Sequence, residues 1–320
     1  MSIDIVGLGE TLGLITPQGV GRPRSGTLAR LGFGGAETNA LVGARRLGTS
    51  GAWLGAVGDD ALGRLILDGL RASGIDVSRV LIRDEAPTAA MVKYSRTTAA
   101  THVDYLRAGS AFSTLDASAL DAGLVGAARV LHTSGITPGL GHGPLELCRA
   151  AIEVAHEAGV LVSLDVNHRT KVWGRRDPRP VLVELAGRAD VIFASLDEAR
   201  LLVDTDGDEP LTVARALARL GPRLVVLKLG AEGALAVLDG DPSRAQARPV
   251  SLHDAVGAGD ALVAGVLVGW LRDFSAQEAL QLGVDLGSYA VTVDGDHEGA
   301  PDWEELRAFR AGTAPGEVAR

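Results

Sequence analysis

The chain has 320 residues, 46% of them hydrophobic, which supplies one large buried core and is far from a disordered composition. Its formal net charge is −9 and no Lys/Arg block occurs, so nothing supports nucleic-acid binding, and any anionic ligand must be held by local groups. Cys148 is the only cysteine, which excludes an intrachain disulfide and a cysteine-based metal site.

Short β-branched runs alternate with helical segments along the chain. In order, strands are predicted at "DIVGLG", "SGAWLGAVG", "ARVLHTSG", "GVLVSLDVN", "ADVIFAS" and "RLVVLKLG". Between them, Pro144 and Pro210 suit first helical turns, Gly48, Gly159 and Gly221 suit helix C-termini, and "SAQE" at 275–278 reads as a capping box. Cys148 falls in the helical "PLELCRAAIEVAHEAG" as a buried thiol. The alternation implies a mostly parallel sheet with helices on both faces. Two segments break it. Residues 11–33 and 86–107 hold short strands without helices ("TLARLGFG", "TAAMVKYSR", "THVDYLR"), and together they predict a small β-sheet lid over an α/β domain formed by 1–10, 34–85 and 108–320. The tail after Phe309 is expected to fray. "MSIDIVGLGE" carries no basic leader, and the longest apolar stretch, Ala261 to Leu271, is well short of the ~20 residues that span a bilayer. No membrane partner and a cytoplasmic location are expected. The histidines are scattered without ligand spacing, so no zinc site is read.

Chemistry concentrates in two glycine-rich stretches. In "DAVGAGDALVAG" the amides of Gly257, Ala258 and Gly259 open an apolar helix, which makes an anion site of its N-terminus. Asp260 follows in the first turn. It reads either as the acceptor of a proton from an attacking hydroxyl or as a first-turn aspartate favoured by the helix dipole. In "GFGGAETNALVGARRLG", Gly34 and Gly35 precede a helix whose first turn is expected to expose Glu37, Thr38 and Asn39 to a ligand; an ordinary Gly-Gly turn is the alternative.

The pair "GGAETNALVGARRLG" and "DAVGAGDALVAG", in this order over nearly the whole chain, resembles the two signatures of the ribokinase-like (PfkB) carbohydrate kinases. The resemblance implies a Rossmann-type α/β sandwich with a β-sheet lid, ATP and Mg²⁺, phosphorylation of a primary alcohol, and a homodimer through the lids. It assigns Asp260 as catalytic base and Gly257, Ala258 and Gly259 as the anion hole for the transferring phosphate. It also admits a monovalent cation such as K⁺.

Three segments are similar to 2-keto-3-deoxygluconate kinases in particular: "GGAE", "YLRAGSAFS" and "DVNHRTKVW". They imply substrate contacts at Gly34, Gly35, Asn39, Tyr105, Arg107 and Arg169, with a contribution from Asp296 in "DHEGAP". Two arginines suit a carboxylate, which guanidinium grips with parallel hydrogen bonds; interdomain ion pairing is their alternative role. Nucleotide contacts are implied at Asn167, Ser195, Lys228, Gly230, Ala231, Gly233, Gly257 and Gly259, the middle group lying in "KLGAEGALA". Glu198 in "SLDE" is implied in an indirect role toward Mg²⁺. The chain departs from the family pattern at Ala255, usually threonine, at Ser195, usually asparagine, and at His168, often tyrosine. The expected function is ATP-dependent phosphorylation of a sugar acid, first 2-keto-3-deoxygluconate. The alternatives are its galactose-derived epimer, a neutral sugar or nucleoside, and a non-catalytic sugar-acid sensor.

Overall fold

The computed structural model describes residues 3–97 and 100–312. Its strands in chain order are β1 (Ile5–Leu8), β2 (Leu12–Pro17), β3 (Ala29–Gly34), β4 (Gly51–Leu54), β5 (Ala56–Gly58), β6 (Leu81–Arg83), β7 (Ala90–Thr97), β8 (Ala100–Leu106), β9 (Val130–Ser134), β10 (Leu161–Asp165), β11 (Val191–Ser195), β12 (Leu224–Lys228), β13 (Ala234–Leu238) and β14 (Asp241–Ala245). Eight form the main sheet in the order β14-β13-β12-β11-β10-β9-β1-β4. From β12 to β4 every pairing is parallel, and the β13 and β14 edge is antiparallel. Alternate residues of each strand feed two cores. Val6, Leu131, Ile192 and Val225 pack on one face; Ile5, Val130, Phe193 and Val226 pack on the other. Each such side chain contributes about 1.5–3 kcal/mol when fully buried. Burial on both faces is why these strands read as continuous apolar runs.

The second face holds the helix Ala258–Leu271, whose residues from Ala261 to Gly269 are all buried. Small residues let its neighbours approach. A Cβ on Gly43, in the helix Ala36–Arg46, would lie 2.9 Å from the Ala264 methyl, and one on Gly265 would lie 2.6 Å from Gly283 Cα in the helix Ala276–Ala290.

A separate four-stranded sheet, β3-β2-β7-β8, is built from the two helix-free segments. The chain passes between it and the main body four times, and two of the passages are very short: β1 runs through Gly9–Thr11 into β2, and β3 runs through Gly35 into the helix Ala36–Arg46. One of its faces buries Leu12, Leu14 and Met91 with Val103 and Tyr105 packed beside them. Among the described residues no helix is long and apolar enough to cross a membrane.

Several local expectations change. "SGAWLGAVG" is two strands, because Gly55 lies under the Trp53 indole and breaks the run; β5 then pairs with β6 instead of the main sheet. Gly221 is not the helix cap. It lies two residues past the cap Arg219, where a Cβ would meet the Gly187 carbonyl at 2.7 Å. The final helix, Trp303–Ala311, continues beyond Phe309, and Arg310 is fixed by Asp285 at 2.7 Å; residues 313–320 lie outside the described residues. The capping box at Ser275 and Glu278, and Gly159 as a left-handed cap, form as the sequence predicts. Cys148 is buried, and burial pushes its thiol up to about 12.

Close packing of the Ala258–Leu271 helix gives a first prediction. Gly265→Ala should destabilise the fold by about 1–3 kcal/mol through overpacking, measured as a lower urea midpoint. An unchanged midpoint would mean that the two helices separate freely at Gly265.

Candidate active site

Ser134, Asp165, Ser195 and Lys228 end four adjacent parallel strands, β9 to β12, so their side chains share the carboxyl edge where open α/β sheets place their ligands. Lys228 Nζ lies 2.7 and 2.9 Å from the two oxygens of Asp165. Burial works to lower the lysine, but the charges of Asp165, Glu198 and Asp260 outweigh it and hold the ammonium above the usual range. Behind this edge His132 is a satisfied core histidine, 3.0 Å from Ser163 Oγ and pushed down to about 4 chiefly by burial.

The helix Ala258–Leu271 starts beside Lys228. Gly257 caps it at φ 77°, and a Cβ there would lie 1.9 Å from the Asp296 carbonyl oxygen, so only glycine fits. The first intrahelical bond is from Ala261 N–H to Gly257 O at 2.8 Å, leaving the preceding amides of the turn without helical partners. A Cβ on Gly259 would stand 3.6 Å from Lys228 Nζ, in the space between amides and ammonium. Unpaired amides facing an ammonium give this turn the chemistry of an anion cradle.

Asp260 stands at its mouth, partly buried. Asn39 Nδ2 donates to Asp260 Oδ2 at 2.8 Å. Burial is the largest influence on this carboxyl and raises it; the Asn39 hydrogen bond lowers it, Asp165 raises it, and Lys228 and Arg169 lower it, for a result of about 7. A carboxylate with that affinity is matched to proton transfer near neutrality.

The other implied sugar contacts come from the small sheet and from the loops that border it. Asp296 is buried with its carboxylate against Gly34, where a Cβ would meet Oδ2 at 2.4 Å; burial pushes this acid up to about 6. Gly35 passes so close to the chain that its Cβ would be 2.6 Å from the Glu10 carbonyl. Tyr105 lies under Arg107, with the guanidinium carbon 5.4 Å from the ring centre. Arg107 Nε and Nη2 are 2.8 and 2.6 Å from one oxygen of the buried Glu10, and Ser110 Oγ donates to the other. Arg169 is exposed and close enough to lower Asp260 by its charge. Asn167 is buried at φ 33°. Asn167 Oδ1 is buried without a hydrogen-bond partner among the described residues. Buried polar groups are normally satisfied, so this oxygen is available to a polar ligand.

The first helical turn after Gly35 differs from expectation. Glu37, Thr38 and Asn39 are all buried: Glu37 turns inward and accepts from the Ser134 amide at 2.9 Å and its hydroxyl at 2.6 Å, while Thr38 bonds Thr11 at 3.0 Å. Burial pushes Glu37 up to about 7. Asn39 alone of the three reaches the mouth. Past the end of β12, Gly230, Ala231 and Glu232 form an exposed turn closed by Gly233, whose φ of 92° and contact with Ala245 O exclude a side chain. Ser195 caps the helix Leu196–Leu202 in a reciprocal box with Glu198, and the second oxygen of Glu198 accepts from the His168 amide at 2.9 Å. Glu198 therefore shapes two loops of the edge. Glu10 and Asp165 escaped the sequence reading, although "GLGE" and "LDVN" place each acid at a strand end where a side chain leaves the sheet.

A family model described as pfkB family carbohydrate kinase matches residues 11–303. The chain is 32% identical over 312 residues to 2-dehydro-3-deoxygluconokinase of Bacillus subtilis, covering 97% of this chain and 96% of that one. It is 31% identical to 2-dehydro-3-deoxygalactonokinase of Haloferax volcanii, covering 98% and 99%. Among solved structures, a PfkB protein from Polaromonas sp. JS666 superposes with a TM-score of 0.86 at 32% identity, covering 96% of this chain and all of that one. The chain therefore belongs to the pfkB family of carbohydrate kinases.

Proposed function

We propose that this protein is an ATP-dependent kinase that phosphorylates the terminal hydroxyl of 2-keto-3-deoxygluconate, with Asp260 as general base. The observation that carries the reading is Asp260 itself, oriented by Asn39 and set near neutrality beside unpaired helix amides. Asp260 takes the hydroxyl proton as the sugar oxygen attacks the γ-phosphorus, and the bond to the β-phosphate oxygen breaks to release ADP. The amides at 257–259 and the Lys228 ammonium meet the charge on the moving phosphoryl group. Gly230, Ala231 and Gly233 offer backbone to the nucleotide, and Asn167 and Ser195 line its approach. Mg²⁺ would supply neutralisation of the triphosphate charge, and Asp165 and Glu198, the acids beside Lys228 on the strand edge, would hold its water shell.

The carboxylate of the substrate is assigned to Arg107 and Arg169, with Tyr105, Gly34, Gly35, Asn39 and Asp296 around the sugar. Residues 11–33 and 86–107 act as a lid that excludes water on closing. The lid's far side leaves Leu31 and Leu106 exposed at 60% and 62%, on the same sheet face, which supports pairing with a second copy. The galactose-derived epimer is the second reading, favoured by the 31% identity to the Haloferax volcanii enzyme.

Asp260→Asn should lower kcat by about 10²–10⁴-fold while nucleotide binding by calorimetry persists. Because Asp260 must be ionised to act and burial raises it to about 7, kcat/KM should fall as pH drops below 7 and level off above it. A profile flat from acid to neutral pH would remove Asp260 from the role. Arg107→Ala should raise KM for keto-deoxy acids on the order of tenfold or more, with ATP affinity kept. Equal effects on acids and neutral sugars would discard the carboxylate clamp. Leu106→Glu should leave a monomer by sedimentation; an unaltered dimer would place the interface elsewhere.

A further inference from the structure

Lys93 lies on β7, on the small-sheet face shared with Met91, Val103 and Tyr105. Its ammonium is 2.5 Å from Asp254 Oδ2 and 3.6 Å from Asp296 Oδ1, and all three side chains are largely buried, at 12%, 19% and 4% exposure. Among the described residues it is the only basic side chain ion-paired with either acid. Both acids belong to the anion cradle. Asp254 uses its other oxygen to accept the Val256 amide at 3.1 Å, closing the turn that delivers Gly257. Asp296 presses its carbonyl on Gly257 and its carboxylate on Gly34. The next residue, His297, stacks on Phe33 of β3 with ring centres 4.3 Å apart. The small sheet thus grips both loops that shape the cradle, through one charge and one ring.

We infer that Lys93 is a positioning residue that couples the seating of the small sheet to the shape of the Asp254–Gly257 turn. The inference rests on the reading that the amides at 257–259 serve the transferring phosphate. Without the ammonium, Asp254 and Asp296 are like charges in a poorly solvated space, since removing one partner of a buried pair leaves the others uncompensated. Asp254 relieves this by turning toward solvent. That movement gives up the Val256 amide, and the first turn of the catalytic helix loses its register with Lys228. Lys93 touches no reacting atom in this account.

The test uses the full chain with Lys93→Met, Lys93→Ala and Lys93→Arg. Lys93→Met should lower kcat by about ten- to a hundredfold, the range for a small misplacement of the reacting groups, with the sugar KM less affected. Lys93→Ala should regain activity with added propylammonium but not with sodium chloride at the same ionic strength, and Lys93→Arg should retain most of it. Amide hydrogen exchange of residues 254–259 should be faster in Lys93→Met than in the native chain. An unchanged kcat, a rise in sugar KM alone, or unchanged exchange at 254–259 would overturn the inference. If the native chain shows no sugar turnover, the kinase reading falls, and the exchange comparison still decides the role of Lys93.

Discussion

The 2.8 Å hydrogen bond from Asn39 to Asp260 joins the first turns of two helices that are 221 positions apart in the chain. It forms only because the helices nearly touch: Gly43 faces Ala264 at a distance that a further methyl would fill. The glycine therefore sets the Asn39–Asp260 distance by having no side chain. With the helices together, Asp260 is drawn out of water, which raises its proton affinity, while Asn39, Lys228 and Arg169 limit the rise. Neither tendency alone gives a useful base. Burial without partners would leave the acid protonated at neutral pH, and full solvation would leave it too weak to take a proton from an alcohol.

The cations around this mouth share a second constraint. In a chain of net charge −9, a site for polyanions must be locally positive and yet release its product. Lys228 is paired with Asp165, Arg107 with Glu10 and Lys93 with Asp254, so three of the nearby cations come with an acid that orients them. Each resident carboxylate holds its ammonium or guanidinium in a fixed geometry and offsets part of its charge. Arg169 is exposed and has no ion pair among the described residues.

What the sequence discloses follows from which forces are local. Strands buried on both faces announce themselves as apolar runs, and helix starts announce themselves through Pro210 or the Ser275 box. The anion cradle is legible because its chemistry is backbone chemistry, written in glycine. β2 is masked by the Pro17 and glycine punctuation that follows it, and β14, "DPSRA", has almost no apolar residue because it is an exposed edge. Side-chain direction is not legible either. Glu37, Thr38 and Asn39 sit in one turn, yet Glu37 points into the sheet and Asn39 at Asp260, a choice made by Ser134 and Asp260, which are remote in sequence. The pairing of Glu10 with Arg107 spans 97 positions and that of Lys93 with Asp254 spans 161, so neither leaves a local pattern.

The departures from the family pattern fall where local structure absorbs them. Ser195 stands where asparagine is usual, but its hydroxyl accepts the Glu198 amide and Glu198 answers to the Ser195 amide, and serine and asparagine are nearly equivalent at a helix N-cap. Ala255 lacks a hydroxyl beside the cradle. The turn there is closed by the Asp254 carboxylate on the Val256 amide, and the side chain at 255 is exposed rather than wedged into the loop. Asp254 in turn is fixed by Lys93 from the small sheet. The turn is thus closed by a carboxylate on a backbone amide, and a hydroxyl at 255 is not among the groups that close it.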